Sequence, residues 1–530
     1  MKKTQFPPKN RFLLLGALLL LGASGVFSVR AQEAPRIAGE SSVVQMSPEA
    51  QDLHFAAQRE VLRRDPWRPV YHFCPPGYGV HDPAGLCWWQ GRYHLFYLFS
   101  VPGLRWGRGH AVSEDLVHWK DLPMLPAEIH GGTGQVWVDN DRVLLGVARG
   151  KPAVFEASDS MLQKWSPLPV TTGGDNFVWR EQNFYYLARP VGGKGTALAL
   201  FRSKDMEQWE SMGNFFEDAS FTDPGIDCSC PNILPLEEGK RLVLFFSHQQ
   251  GPKYYVGTAD TTQGRFTIQE HGRMSYGPVM RGSLHAPSGF IAPDGRCIGI
   301  WNVFEGVIQE DFAGTKNGVM SLPRQLALNS ESSGKGFDKR ELHPIRIEPL
   351  EELKALRFNP VRIEGVMVPA NGEKVLEGVQ GRAMELEVEM DPMKSREVGL
   401  RILRSPNGEE QTTISLSMHA WAWPWKGNKR ELMIDVSQAS LSPEVASRTP
   451  EIGPLYLAEG EPLRLRVFID GSLIEVFANG RQCLTLRAYP TRGDSLGVSV
   501  FARGQEAKLV ALTAHQMKSI WPEAKGQPGR

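Results

Sequence analysis

Net charge is what this chain lacks first: lysine plus arginine and aspartate plus glutamate both number 59. With no surplus of either sign there is no long-range pull on nucleic acid or an anionic membrane, so a neutral partner is favoured. Long apolar runs are missing after the first 31 residues, which leaves no later segment able to span a membrane. Cysteine is scarce, six in 530 residues, and Cys228-Ser229-Cys230 has no second ligand pair to complete a zinc site. No glycine-rich nucleotide loop and no Ser-His-Asp signature stands in a fitting context, so no cofactor is expected.

What is present begins with Lys2, Lys3, Lys9 and Arg11 ahead of the apolar run "FLLLGALLLLGA", with Val29 and Ala31 as small residues for cleavage. Residues 1–31 are thus predicted to be an export signal, with no stable membrane insertion after its removal and a periplasmic or extracellular destination. In an exported chain Cys74, Cys87, Cys228, Cys230, Cys297 and Cys483 permit disulfides that sequence cannot pair, and buried structural cysteines are expected. The length suits two domains. Residues 32–69 form a lead-in, in which "SPEAQDLHFAAQREVLRRDP" carries a Ser N-cap candidate followed by proline and predicts one short helix.

A repeat organises the next part. "SEDLVHWKDLP", "SDSMLQKWSPLP" and "SKDMEQWESMG" resemble one another, and their Trp119, Trp165 and Trp209 stand 46 and 44 residues apart. Strand pairs precede each of them, as in "GQVWVDNDRVLLGVA" and "NFVWREQNFYYLA". Short strands repeating at this period predict propeller blades of four-stranded sheets. Further blades fit "CPNILPLEEGKRLVLFFSH" and "HAPSGFIAPDGRCIGIWNVF", giving five with the one that starts at Asp82. The expected fold is all-β: a five-bladed propeller over 70–335 and a C-terminal β-sandwich over 336–520. In the latter, "EPLRLRVFIDGSLIEVFANGRQCLTLRAYP" alternates around Asp-Gly and Asn-Gly turns.

The stretches "DPAGLCWWQGRYHLFY", "WGRGHAVSEDLVHWKDLP", "YYVGTAD", "GVMSLPR" and "RVFIDGSLIEVFANG" together resemble glycoside hydrolase family 32, the invertases, levanases and inulinases, over roughly 70 to 500. The resemblance implies a propeller-plus-sandwich fold and a β-fructofuranosidase-type or related furanoside hydrolase. Its substrate would be an oligo- or polysaccharide, cleaved with retention. A retaining glycosidase sets two carboxyl groups about 5 to 5.5 Å apart, one to attack the anomeric carbon and one to protonate the leaving oxygen. "GVHDPAG" lays Asp82 on the family's nucleophile motif. The second family carboxylate, which holds sugar hydroxyls, falls on Asp175 by blade counting, because Asp175 opens the third blade; Asp223 in "FTDP" competes as a substrate contact.

At the third position the family carries glutamate before Cys-Pro, and here "GIDCSCPNILPL" has Ser229. Asp227, two residues earlier on the same strand face, is the candidate acid, with a pKa expected to be raised by burial beside the other carboxylates. Gly79, His81, Ala84, Leu98 and Gly174 replace family sugar contacts, which puts fructose as the recognised sugar in question. His81 and Trp106 are the further candidate sugar contacts. Two rival readings remain open: a carbohydrate-binding propeller without catalysis, favoured by Ser229, and a fructosyltransferase. Linkage, endo or exo action and oligomeric state are not legible.

Overall fold

The computed structural model describes residues 43–101, 104–147 (the side chain of 105 apart), 153–170, 176–191, 198–216, 227–277, 279, 282–305, 318–329, 343–418, 429–445 and 448–521. The expected export signal, Asp175 and Asp223 lie outside them. No helix among the described residues is long and apolar enough to cross a membrane.

The lead-in helix is Pro48–Leu62, and Ser47 caps it by accepting from the Ala50 N–H at 3.3 Å. Its Arg59 pairs with Asp121 of the first sheet, tying the helix to that sheet's outer strand Trp119–Leu122.

Five sheets follow among the described residues, opened by the strands Gly79–Trp89, Gly134–Asp139, Phe177–Glu181, Ser229–Pro235 and Ser283–Ile291. The opening strands of neighbouring sheets adjoin, and the fifth touches both the fourth and the first, so the ring closes. Trp119 and Trp165 begin outer strands of the first two sheets and Trp209 immediately precedes that of the third, which explains the 46 and 44 residue spacing. Each repeat is one blade.

At the ring's axis space is tight. A Cβ on Gly85, whose φ is +141°, would stand 2.7 Å from Val136 of the second blade, and one on Gly289 would stand 2.6 Å from Leu234 of the fourth. Both glycines end an H-x-P-x-G run, His81 to Gly85 and His285 to Gly289. In both strands the pairing register shifts at the proline. Proline cannot donate to the ladder, and the resulting bulge turns the preceding side chains into the axial mouth.

The fifth sheet retains Ile345–Pro349, paired with Arg324–Leu328, so the propeller runs past the boundary expected between 335 and 336. Charged residues around 329–343 hid a strand that alternates well: Ile345, Ile347 and Pro349 are buried while Arg346 is exposed. The sandwich begins at Arg357–Val368 and, among the described residues, comprises two six-stranded sheets.

The strand Leu473–Ala478 and the end of Leu463–Asp470 are buried on both faces for a reason of position. Val467, Ile469, Ile474 and Val476 fill the space between the sandwich sheets, whereas Phe468, Leu473 and Phe477 pack into the propeller core. Through the same strands Asp470 accepts from the backbone N–H groups of Val70, Tyr71 and His72 at 2.6 to 2.8 Å. "IDGSLIEVF" is therefore a fastening between the two domains.

A second fastening is pH-sensitive. Glu451 of the sandwich accepts from the backbone N–H of Tyr276 and Gly277 and from the hydroxyls of Ser275 and Ser283. Burial pushes its carboxyl up to about 7 against these hydrogen bonds. A carboxyl raised above its unfolded value of about 4.3 adds stability below that value and loses it as pH climbs towards 7. The melting temperature should therefore fall between about pH 4.5 and 7.5, and Glu451→Gln should flatten that fall; parallel profiles for the two proteins would refute the assignment.

Cys74, Cys87, Cys297 and Cys483 are buried free thiols. Burial pushes the Cys87 and Cys297 thiols up to about 12, which leaves them protonated and inert, as structural cysteines are.

Candidate active site

The first strand of every blade meets those of its neighbours around the axis, and early residues of the first and fifth, Asp82 and His285, come together there. Asp82 stands there on the first blade. Its side chain keeps 13% of its surface, and its Oδ1 is 3.0 Å from Nδ1 of His285 on the fifth blade. Burial alone would push the carboxyl up, but His285 and then His81 hold it below the usual carboxylate range. The group is a charged, half-enclosed carboxylate, which is what a nucleophile needs.

Aromatic rings wall the mouth. The ring of His81 lies 5.0 Å from Trp106 and 5.5 Å from Phe304, and His285 lies between Phe304 at 5.3 Å and Phe246 at 3.9 Å. Trp106 is half-buried on this wall, whereas Trp137 is core and Trp88 and Trp89 pack onto core clusters. The fully buried Arg108 donates to the carbonyls of Ala84 and Gly132, bracing the strand behind Asp82 against the segment that leads into the second blade; burial lowers its pKa to about 10.

The fourth blade brings Asp227 and Ser229 to the same face. Asp227 Oδ2 accepts from Ser229 Oγ at 2.7 Å and from His248 Nδ1 at 2.6 Å, and Oδ1 accepts from the His248 N–H at 2.8 Å. Gln249 closes the arrangement, its Oε1 accepting from the Asp227 N–H at 3.1 Å. The expected rise in the Asp227 pKa does not occur. Burial works in that direction, but His248 and Ser229 outweigh it and hold the carboxyl below its ordinary value. The companions foreseen for Asp227 were carboxylates; those it has are donors.

The structure thus brings Asp82, His81 and Trp106 together on one mouth, with Asp227 joined to it through His248, Phe246 and His285. Asp175 and Asp223 precede the opening strands of the third and fourth blades in sequence. His285 and His248 escaped sequence reading. For His285 a signal existed, the second H-x-P-x-G run; for His248, in the turn "SHQQG", none did. Among the described residues, no group of three or more histidine, cysteine, aspartate or glutamate side chains is arranged to hold a metal ion.

Residues 72–143 and 174–337 match the N-terminal domain, and residues 352–516 the C-terminal domain, of the glycosyl hydrolases family 32. The chain belongs to glycosyl hydrolase family 32. Among curated family 32 relatives it is 26% identical to a levanase of Bacillus subtilis (strain 168), over 86% of this chain and 71% of that one. It is 25% identical to a fructan 6-exohydrolase of Triticum aestivum, over 84% of this chain and 89% of the relative. Among solved structures, fructan 1-exohydrolase IIa from Cichorium intybus superposes with a TM-score of 0.73 at 19% identity, covering 87% of this chain and 99% of that one. The family 32 match spans both the propeller and the sandwich.

Proposed function

We propose that the protein is an exported glycosidase that hydrolyses β-fructofuranosidase-type bonds of an oligo- or polysaccharide with net retention. The observation that carries this reading is Asp82: a carboxylate kept charged by His285 at the axial mouth of a family 32 propeller. Asp82 would attack the anomeric carbon. Asp175 would hold ring hydroxyls as positive charge develops on the sugar, its support being its place just before the third blade's opening strand. Asp223 would be a further substrate contact. His81 and Trp106 would line the subsite for the sugar whose bond is cut.

Among relatives, the levanase and the fructan exohydrolase are named for fructose polymers, and a variant of the Cichorium intybus enzyme was solved with 1-kestose. A sugar-binding propeller without catalysis is the second reading, favoured by Ser229 at the place of the family's acid.

Purified protein incubated with sucrose, 1-kestose, inulin and levan should release fructose, and NMR of the first product formed should show the β-anomer. Binding without release from any of them would establish the second reading instead.

A further inference from the structure

The site lacks a carboxylic acid where the family has one, and the neighbours of Asp227 indicate what replaces it. We propose that the proton donor to the leaving oxygen is the imidazolium of His248, positioned by Asp227. The inference rests on the hydrolase reading above and names a catalytic residue for it.

Three observations carry it. First, Asp227 receives donors on both oxygens, from Ser229 Oγ, His248 Nδ1 and the His248 N–H. A carboxyl so engaged is a carboxylate and has no proton to deliver at neutral pH. Second, Ser229 points its hydroxyl proton at Asp227, and an alcohol is in any case too weak an acid to protonate a departing sugar. Third, His248 has its Nδ1 committed to Asp227, which fixes the ring and leaves Nε2 as the exchangeable proton site. The ring is 56% exposed and set in the turn after the strand Arg241–Ser247, with Ser247 Oγ accepting from the Gln249 and Gln250 N–H groups.

Its position is right for the task. The His248 ring stands edge-on to Phe246 at 5.2 Å and to His285 at 6.4 Å, and His285 is the partner of Asp82. The acid and the nucleophile therefore belong to one wall of rings. Among the described residues, the titratable groups in contact with this wall are Asp227 beside His248, and His285 with Asp82 and His81 beyond it.

The step balances. An oxygen of Asp82 forms a bond to the anomeric carbon while the bond to the leaving oxygen breaks. Its electron pair goes to that oxygen, which takes the proton from Nε2. Neutral His248, still donating from Nδ1 to Asp227, then accepts a proton from water as the water oxygen displaces Asp82 from the sugar. Imidazolium and carboxylate are restored, as retention requires.

The test compares wild type, His248→Gln and Asp227→Asn on sucrose and on a nitrophenyl β-fructofuranoside, whose leaving group departs without a proton. Because His248 is exposed, His248→Gln should melt like the wild type. It should lower kcat on sucrose about 10²- to 10⁴-fold, the usual contribution of a positioned acid, lower the aryl rate less than tenfold, and abolish the alkaline limb of the kcat/KM profile. Asp227→Asn should shift that limb to lower pH, because removing the negative partner makes the imidazolium a stronger acid. Equal losses on both substrates, or a retained alkaline limb in His248→Gln, would overturn the proposal.

An NMR titration of the His248 ring in wild type and Asp227→Asn provides a readout independent of turnover. The midpoint should drop in the variant, and an unchanged midpoint refutes the pair. If the wild type turns over neither substrate, the hydrolase reading falls and the proton transfer with it. If the wild type is active and His248→Gln loses nothing, this inference alone fails.

Discussion

Asp82→Asn should reduce turnover of every substrate, activated or not, by about 10⁴-fold or more, because removal of a covalent nucleophile is not compensated by the remaining groups. Folding should scarcely notice. The side chain meets His285 at 3.0 Å with Asn302 and His81 also acting on it, and the isosteric amide removes the carboxylate's desolvation cost together with the pair, so the two changes largely offset. The melting temperature should therefore move by no more than about 2 °C for a chain of this size.

The acid limb of the pH profile follows from the same geometry. A nucleophile works deprotonated, so activity rises with pH through the Asp82 pKa. With His285 holding that carboxyl down, the limb lies below the usual carboxylate value of about 4. His285→Gln removes the partner that holds the carboxyl down and leaves the burial, so the limb should move to higher pH. A limb unmoved in His285→Gln, or an Asp82→Asn enzyme retaining a per cent of its activity, would refute the assignment.

The largest effect on stability is expected where the sandwich meets the propeller. Glu475, fully buried in the sandwich strand Leu473–Ala478, accepts from Arg324 Nη2 at 2.6 Å, Thr485 Oγ1 at 2.8 Å and the Leu322 N–H at 2.8 Å. Its Oε2 also lies 3.3 Å from His72 Nε2. Burial would push this carboxyl up; Arg324 and His72 reverse that and hold it well down. Arg324 is itself fully buried, with its guanidinium 5.2 Å from the ring of Trp301 and 5.6 Å from that of Phe477.

Glu475→Ala would leave that guanidinium in the core without a counter-charge, at a cost of about 3 to 5 kcal/mol. The loss should appear in calorimetry as a fall of about 3 to 5 °C if the domains melt together, with reduced soluble yield. Adding Arg324→Met removes the stranded charge and should recover half or more of the loss, since buried pairs are often replaceable by apolar groups of similar volume. A double variant as unstable as Glu475→Ala would show that the pair contributes more than its mutual neutralisation.

Much of this was legible in the chain. The 46 and 44 residue spacing of Trp119, Trp165 and Trp209, with a strand pair before each, implied the blades, because one blade is a local unit that must bury the same apolar face in each copy. The helix at Pro48 was readable for the same local reason, its cap and first-turn proline being adjacent residues. Asp82 was readable through its motif: "GVHDPAG" resembles the family's nucleophile stretch with the proline and the last glycine kept, and that glycine stands where the neighbouring blade comes close.

What sequence determined by itself, then, is what short stretches decide: repeat length, turn positions, the order of blades and sandwich, and the position of one carboxylate. The tertiary structure decided who meets whom at the axis. His285 is 203 residues from Asp82, and His248 is 21 residues from Asp227. No spacing rule joins such pairs, because their approach depends on closure of the ring and on the turn that ends a blade's second strand. The charge state of Asp227 follows from that meeting. A carboxyl's pKa is a property of its neighbours, and only the folded ring supplied donors where the linear chain suggested other carboxylates.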